Sequence, residues 1–71
     1  MSSLREIRLR RMWSQRDLAQ QAGVAQKTIV DLELGRSEPR LQTMRKLAAA
    51  LGVEPLEVYE FQRAIAEKVA A

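Results

Sequence analysis

The chain has 71 residues, 12 Lys and Arg against 9 Asp and Glu, and neither Cys nor His. A chain this short is one domain at most and buries only roughly 60% of its unfolded surface, so association is an expected source of extra stability. Lack of Cys excludes disulfides and thiolate zinc sites, and lack of His removes the commonest general base and metal ligand, which sets aside zinc fingers, Ser-His-Asp and Cys-His hydrolases and most metalloenzymes.

Sparse aromatic and β-branched residues argue against strands, and apolar residues recur at helical spacing throughout. The spacing predicts an all-α fold of five helices. The first covers about 3–12, with Leu4, Ile7, Arg8 and Arg11 on one face. Ser14 then opens a second helix, about 15–22, where its hydroxyl can cap the N–H of Asp17 in a near capping box. Leu18, Ala19 and Ala22 form its inner face, and Gly23 stops it. Trp13, just before the cap, is placed for a hydrophobic staple onto Leu18. A third helix, about 26–34, turns Ile29, Leu32 and Glu33 inward and ends at Gly35. Arg36 to Arg40 is a loop marked by Pro39. The fourth helix carries the stripe Leu41, Met44, Leu47, Ala48 and Leu51, then Gly52. The fifth is expected to start near Pro55 and to run to the C-terminus with Val58, Phe61, Ile65 and Val69 on one stripe.

Charge is divided along the chain. Residues 1–46 carry ten basic and five acidic side chains, whereas residues 47–71 carry two basic and four acidic ones. Nine of the twelve cations are Arg, whose planar fork binds phosphate in a way Lys does not copy. A basic half joined to an acidic half suits a polyanion on one face and something else on another. No targeting signal is evident. The longest run without a charged or polar side chain, Leu47–Val53, is far short of the roughly 20 residues that span a bilayer, and a cytoplasmic location is expected.

The second and third helices are joined by Ala22-Gly23-Val24-Ala25, a short Gly-containing turn that fits a helix-turn-helix or an ordinary helical hairpin. Here the residues become specific. Ser14-Gln15-Arg16-Asp17-Leu18-Ala19-Gln20-Gln21-Ala22-Gly23-Val24 resembles the SQ-x-x-LA-x-x-AGV segment of the phage repressor/Cro-like, or XRE, helix-turn-helix family. Thr28-Ile29-Val30-Asp31-Leu32-Glu33-Leu34-Gly35-Arg36 resembles its TI-x-x-[IL]E-x-G-[KR] segment. Pro39, Thr43-Met44, Lys46-Leu47-Ala48 and Ala50-Leu51-Gly52-Val53 resemble the family's ending. The resemblance covers roughly residues 4–59. It implies a five-helix lambda-repressor-like DNA-binding domain over 1–59; residues 60–71 lie outside the family pattern and are expected, from their apolar stripe, to extend the last helix as a dimer contact. Departures are local. Ala25 stands where Ser or Thr caps the third helix, and Arg40 where Ser begins the fourth. Met12 stands where the family often has Gly and Trp13 where it often has Leu; both are expected in a hydrophobic corner.

The resemblance assigns roles residue by residue. Gln15, at a helix start that favours anions, is expected on a DNA phosphate, with Arg16, Arg36, Arg40 and Thr43 making further backbone contacts. Base reading falls to Gln26, Lys27, Thr28, Val30 and Asp31: Gln suits adenine, Lys guanine, Asp the cytosine amine, and Val the thymine methyl. A Lys27–Asp31 pair at i,i+4 is the plainer alternative for Asp31. Arg8 and Glu33 each lie on an inward stripe, and a buried charge needs a partner; they are expected to form a structural ion pair. Phe61, Ile65 and Val69 either pack within the chain or form a homodimer interface.

The implied function is a sequence-specific double-stranded DNA-binding regulator, most simply a repressor, bound as a homodimer to a palindromic operator. The alternative is an antitoxin whose main partner is a protein toxin. An enzyme finds no Gly-rich phosphate loop or paired carboxylates in this sequence, and no cofactor or metal is called for.

Overall fold

A computed structural model describes residues 2–70; Ala71, the last residue of the expected C-terminal segment 60–71, lies outside them. Five α-helices follow one another: α1 (Leu4–Arg10), α2 (Gln15–Ala22), α3 (Gln26–Glu33), α4 (Leu41–Leu51) and α5 (Tyr59–Ala70), with a 3-10 turn over Pro55–Glu57 before α5. Strands are absent among the described residues.

Local chemistry starts the first two helices. The Ser3 hydroxyl accepts from the Glu6 N–H, and the Glu6 carboxylate accepts from the Ser3 N–H. Ser14 and Asp17 repeat this exchange at α2. The N–H···carboxylate bonds from Ser3 and Ser14 hold both carboxyls below their ordinary range. Gly23 ends α2 in the left-handed conformation, at φ 71°, which a residue without Cβ adopts without penalty.

The end of α1 overturns one expectation. The helix closes at Arg10, and Met12 N–H and Trp13 N–H turn back to the carbonyls of Leu9 and Arg8. This Schellman closure puts Met12 in the left-handed region at φ 60°. Its side chain is 89% exposed, so Met12 is no part of a hydrophobic corner. The Gly usual at this position is explained by the backbone, not by packing. Trp13 does pack against the core. On its outer side the Arg11 guanidinium lies 5.4 Å from the ring centroid, while Arg11 Nη2 donates to the Leu51 carbonyl at the end of α4.

The expected long fifth helix is also corrected. Pro55 opens the 3-10 turn rather than α5. Val58 then takes an extended conformation, because Ser2 pairs with the chain around it: Ser2 N–H donates to Glu57 O, and Tyr59 N–H donates to Ser2 O. Only after this pairing does α5 begin. Glu60 then reaches back and accepts the Leu4 N–H at 2.8 Å, capping α1 from the opposite end of the chain.

One core joins all five helices. Leu4, Ile7, Leu18, Ala19, Ile29, Leu32, Met44, Leu47, Leu51, Val58, Phe61 and Ala64 form a single buried cluster. Phe61 is fully covered within its own chain. It is therefore unavailable to a partner subunit, and the packed unit does not stop at residue 59. Ile65 is partly buried against the core, and Val69 stands free at 80% exposure.

Candidate nucleic-acid interface

The inner side of α3 is fixed by apolar packing and by one polar network. Ile29 and Leu32 are buried. Beside them, Arg8 Nε donates to Glu33 Oε2 at 2.7 Å and Arg8 Nη2 donates to Glu33 Oε1 at 3.1 Å. The side chains are 7% and 4% exposed, so the expected ion pair is present and buried. Arg8 Nη1 donates to the Trp13 carbonyl at 2.8 Å, giving every nitrogen of the guanidinium a partner. A bidentate, fully partnered pair meets the condition under which two charges can be buried.

Gln15 belongs to this network, which sequence reasoning missed. Its Nε2 donates to Glu33 Oε1 at 3.1 Å. The signal was present in that Gln15 sits at the start of a helix adjoining an inward Glu, but pairing them requires the tertiary fold. Three elements thus converge on one carboxylate: α1 through Arg8, α2 through Gln15 and α3 through Glu33. The side chain of α2's first residue is held rather than free.

The outer side of α3 is different. Gln26 and Lys27 are exposed, while Thr28, Val30 and Asp31 are half-buried. Lys27 Nζ donates to Asp31 Oδ2 at 2.8 Å. The plainer pairing therefore exists in the free chain. Arg16, Arg36 and Arg40 are exposed, and Thr43 is half-buried. Thr28, Arg40 and Thr43 line one cleft with Ser37, the exposed Glu38 and the buried Pro39, which brings the starts of α3 and α4 together. The ion pairs among the described residues are Arg8–Glu33, Lys27–Asp31 and Arg63–Glu67, so Arg36 and Arg40 enter none.

Helix ends give the site its sign. The N-termini of α1, α2 and the 3-10 turn each carry a carboxylate in the first turn: Glu6, Asp17 and Glu57. Those of α3 and α4 have neither an acidic first turn nor a side-chain cap. Their partial positive charge is left unneutralised. The start of α2, by contrast, is already supplied with the Asp17 carboxylate, and the open helix ends are those of α3 and α4. No group of three or more acidic side chains able to hold a metal ion occurs among the described residues. No helix among them is long and apolar enough to cross a membrane.

These features define a small helix-turn-helix domain, with α2 and α3 as its two-helix unit. A helix-turn-helix family model matches residues 4–58, and the chain belongs to that family, in its phage repressor/Cro-like (XRE) branch. A protein of Methanothermobacter thermautotrophicus named as an uncharacterized HTH-type transcriptional regulator is 41% identical over 54 residues, covering 76% of this chain and 78% of its own length. No solved structure matches the chain.

Proposed function

We propose that the chain is a transcription regulator that binds double-stranded DNA by sequence, with α3 in the major groove and no catalytic step. The observation that carries this reading is the two-sidedness of α3. Its inner face is locked through Ile29, Leu32 and Glu33, and its outer face presents Gln26, Lys27, Thr28, Val30 and Asp31. A helix used for reading base edges has to be rigid behind and polar in front. The relative's name as a transcriptional regulator supports the same reading.

Arg36, Arg40 and Thr43 hold the phosphate backbone beside α3, where two uncapped helix ends add to the attraction. Arg16 extends the basic rim. Gln15 keeps a second N–H for a phosphate while Glu33 fixes its orientation.

The chain acts as a homodimer on a palindromic operator, most simply as a repressor. Ile65 and Val69 remain for the partner. An apolar groove continues from Ile65 across Leu41, Leu56 and Pro55, with Arg45 and Glu54 on its rim. Leu41 and Leu56 are more than half exposed. Arg45 and Glu54 give the groove's lining both signs of charge, the self-complementarity that a two-fold interface requires.

Selection of bound sites from random duplex DNA tests the reading. Two inverted half-sites about 34 Å apart, one DNA turn, are expected. An unenriched pool overturns sequence-specific binding. Sedimentation of the free chain tests the dimer: Leu56→Asp and Val69→Asp are expected to shift it to monomer, and a wild-type chain that is monomeric at micromolar concentration and on DNA overturns it.

A further inference from the structure

The Lys27–Asp31 pair is placed against the preference of its own helix. Lys27 lies in the first turn of α3 and Asp31 in the last. The macrodipole favours the reverse, acidic residues first and basic residues last, and the acid-before-base order is also the better one for an i,i+4 pair. Helix stability therefore gives no reason for this arrangement. The pair also sits on the outer face, with side chains 83% and 20% exposed. Asp31 is the held member and Lys27 the projecting one. A lone carboxylate on a surface that meets a polyanion would be repelled, and its pairing with Lys27 removes that repulsion.

Resting on the reading of α3 as the recognition helix, we propose that Lys27 and Asp31 act as one joined unit that reads a single G·C base pair. The spacing fits. Lys27 Nζ and Asp31 Oδ2 are 2.8 Å apart. In a G·C pair the guanine O6 acceptor and the cytosine N4 donor are bonded to each other, an N–H···O separation of about 2.9 Å. The ion pair thus lays a donor over O6 and an acceptor over N4 with no change in its own length. The ammonium has three donors. One stays on Asp31, leaving two for guanine O6 and N7. Asp31 Oδ2 accepts from Lys27 with one lone pair and from N4 with the other.

This geometry ranks the four base pairs. G·C satisfies every group. T·A keeps the polarity, with Lys27 on thymine O4 and Asp31 on adenine N6, but has a methyl where N7 was. A·T and C·G reverse the polarity, setting Asp31 against an acceptor and Lys27 against an exocyclic donor, with adenine alone keeping an N7 for Lys27. The unit therefore distinguishes orientation as well as composition, which Lys alone, a flexible point charge, does poorly.

The test uses the full chain and the site obtained by selection. At one position of each half-site the preference is expected to run G·C, then T·A, then A·T and C·G, with the reversed pairs weaker by roughly tenfold or more. Replacing that guanine by 7-deazaguanine should lower binding toward the T·A level. Asp31→Ala should collapse the discrimination against A·T and C·G. The decisive variant is the exchange Lys27→Asp with Asp31→Lys. It accords with the helix dipole, so the fold is retained, and it should invert the preference to C·G. Discrimination that survives Asp31→Ala, or an exchanged variant that still prefers G·C, overturns the proposal while leaving α3 as the reading helix. A wild-type chain with no preferred site removes that reading and this one together.

Discussion

The two helices of the helix-turn-helix unit are equal in length, eight residues each, yet they are held in opposite ways. Helix α2 is stabilised from within: Ser14 and Asp17 cap its start, and Gly23 closes its end. Helix α3 begins at Ala25 with no side-chain cap. Its hold comes from outside, through Leu32 and Ile29 in the core and Glu33 in the grip of Arg8 and Gln15. An eight-residue helix is too short to be stable alone in water. For α3 the tertiary network is thus a condition of its existence, and its first turn is left open on the side where a ligand would meet it.

Removing the outside support should have the largest effect. Arg8→Ala leaves the Glu33 carboxylate buried with Gln15 as its one remaining side-chain donor, and should destabilise the domain by roughly 3–5 kcal/mol. Marginal stability scales at roughly 0.05–0.15 kcal/mol per residue, so a loss of that size takes much of the total from so short a chain. Urea unfolding measures it, and a midpoint equal to wild type would mean the pair is not buried. Removing the inside support should matter less. Ser14→Ala deletes the cap of α2 at a cost of about 1 kcal/mol, read from the same unfolding curve.

The converse substitution sharpens the contrast. Ala25→Ser supplies α3 with the cap it lacks and should raise stability by about 0.5–1 kcal/mol. If it has no effect, the backbone at residue 25 does not admit the cap despite its extended φ and ψ.

Acid gives the smallest effect, and it separates the two helices again. The Asp17 and Glu6 carboxyls are lowered in the folded chain by the N–H groups they cap. Groups lowered on folding contribute stability above their unfolded pKa and lose it as pH falls through the folded one. Stability should therefore decline below about pH 4, the ordinary carboxyl range. Asp17→Asn should flatten that decline in thermal melts taken across pH 2–5.

The legibility of the chain follows the range of the interactions. The Ser14 cap, the left-handed Gly23 and the stripe on α4 are local, and each is readable from neighbours within a turn or so. Arg8 and Glu33 are 25 residues apart, yet they were legible because a charge on an apolar stripe demands an opposite one. Gln15 made no such demand, being neutral, and its bond to Glu33 went unread. The break before α5 was hidden for a similar reason. Val58 fits a helical stripe by composition, and what makes it extended is Ser2, more than fifty positions away. Phe61 was visible as apolar, but sequence alone could not distinguish the inside of this chain from the surface of a partner. At Met12 the side chain suggested burial, while the backbone required the left-handed turn. Met12→Gly should therefore stabilise the chain by about 1 kcal/mol, seen as a raised melting temperature.

The bond from the Leu4 N–H to Glu60 closes a span of 56 residues. The first N–H groups of a helix lack intrahelical partners and ordinarily exchange with solvent almost freely. Leu4 should not. Its amide is covered by the Glu60 carboxylate, so its exchange reads how firmly that side chain holds the start of α1. Leu4 thereby becomes a reporter on the contact between α1 and α5, exchanging more slowly than an uncapped first-turn amide and faster again in Glu60→Ala.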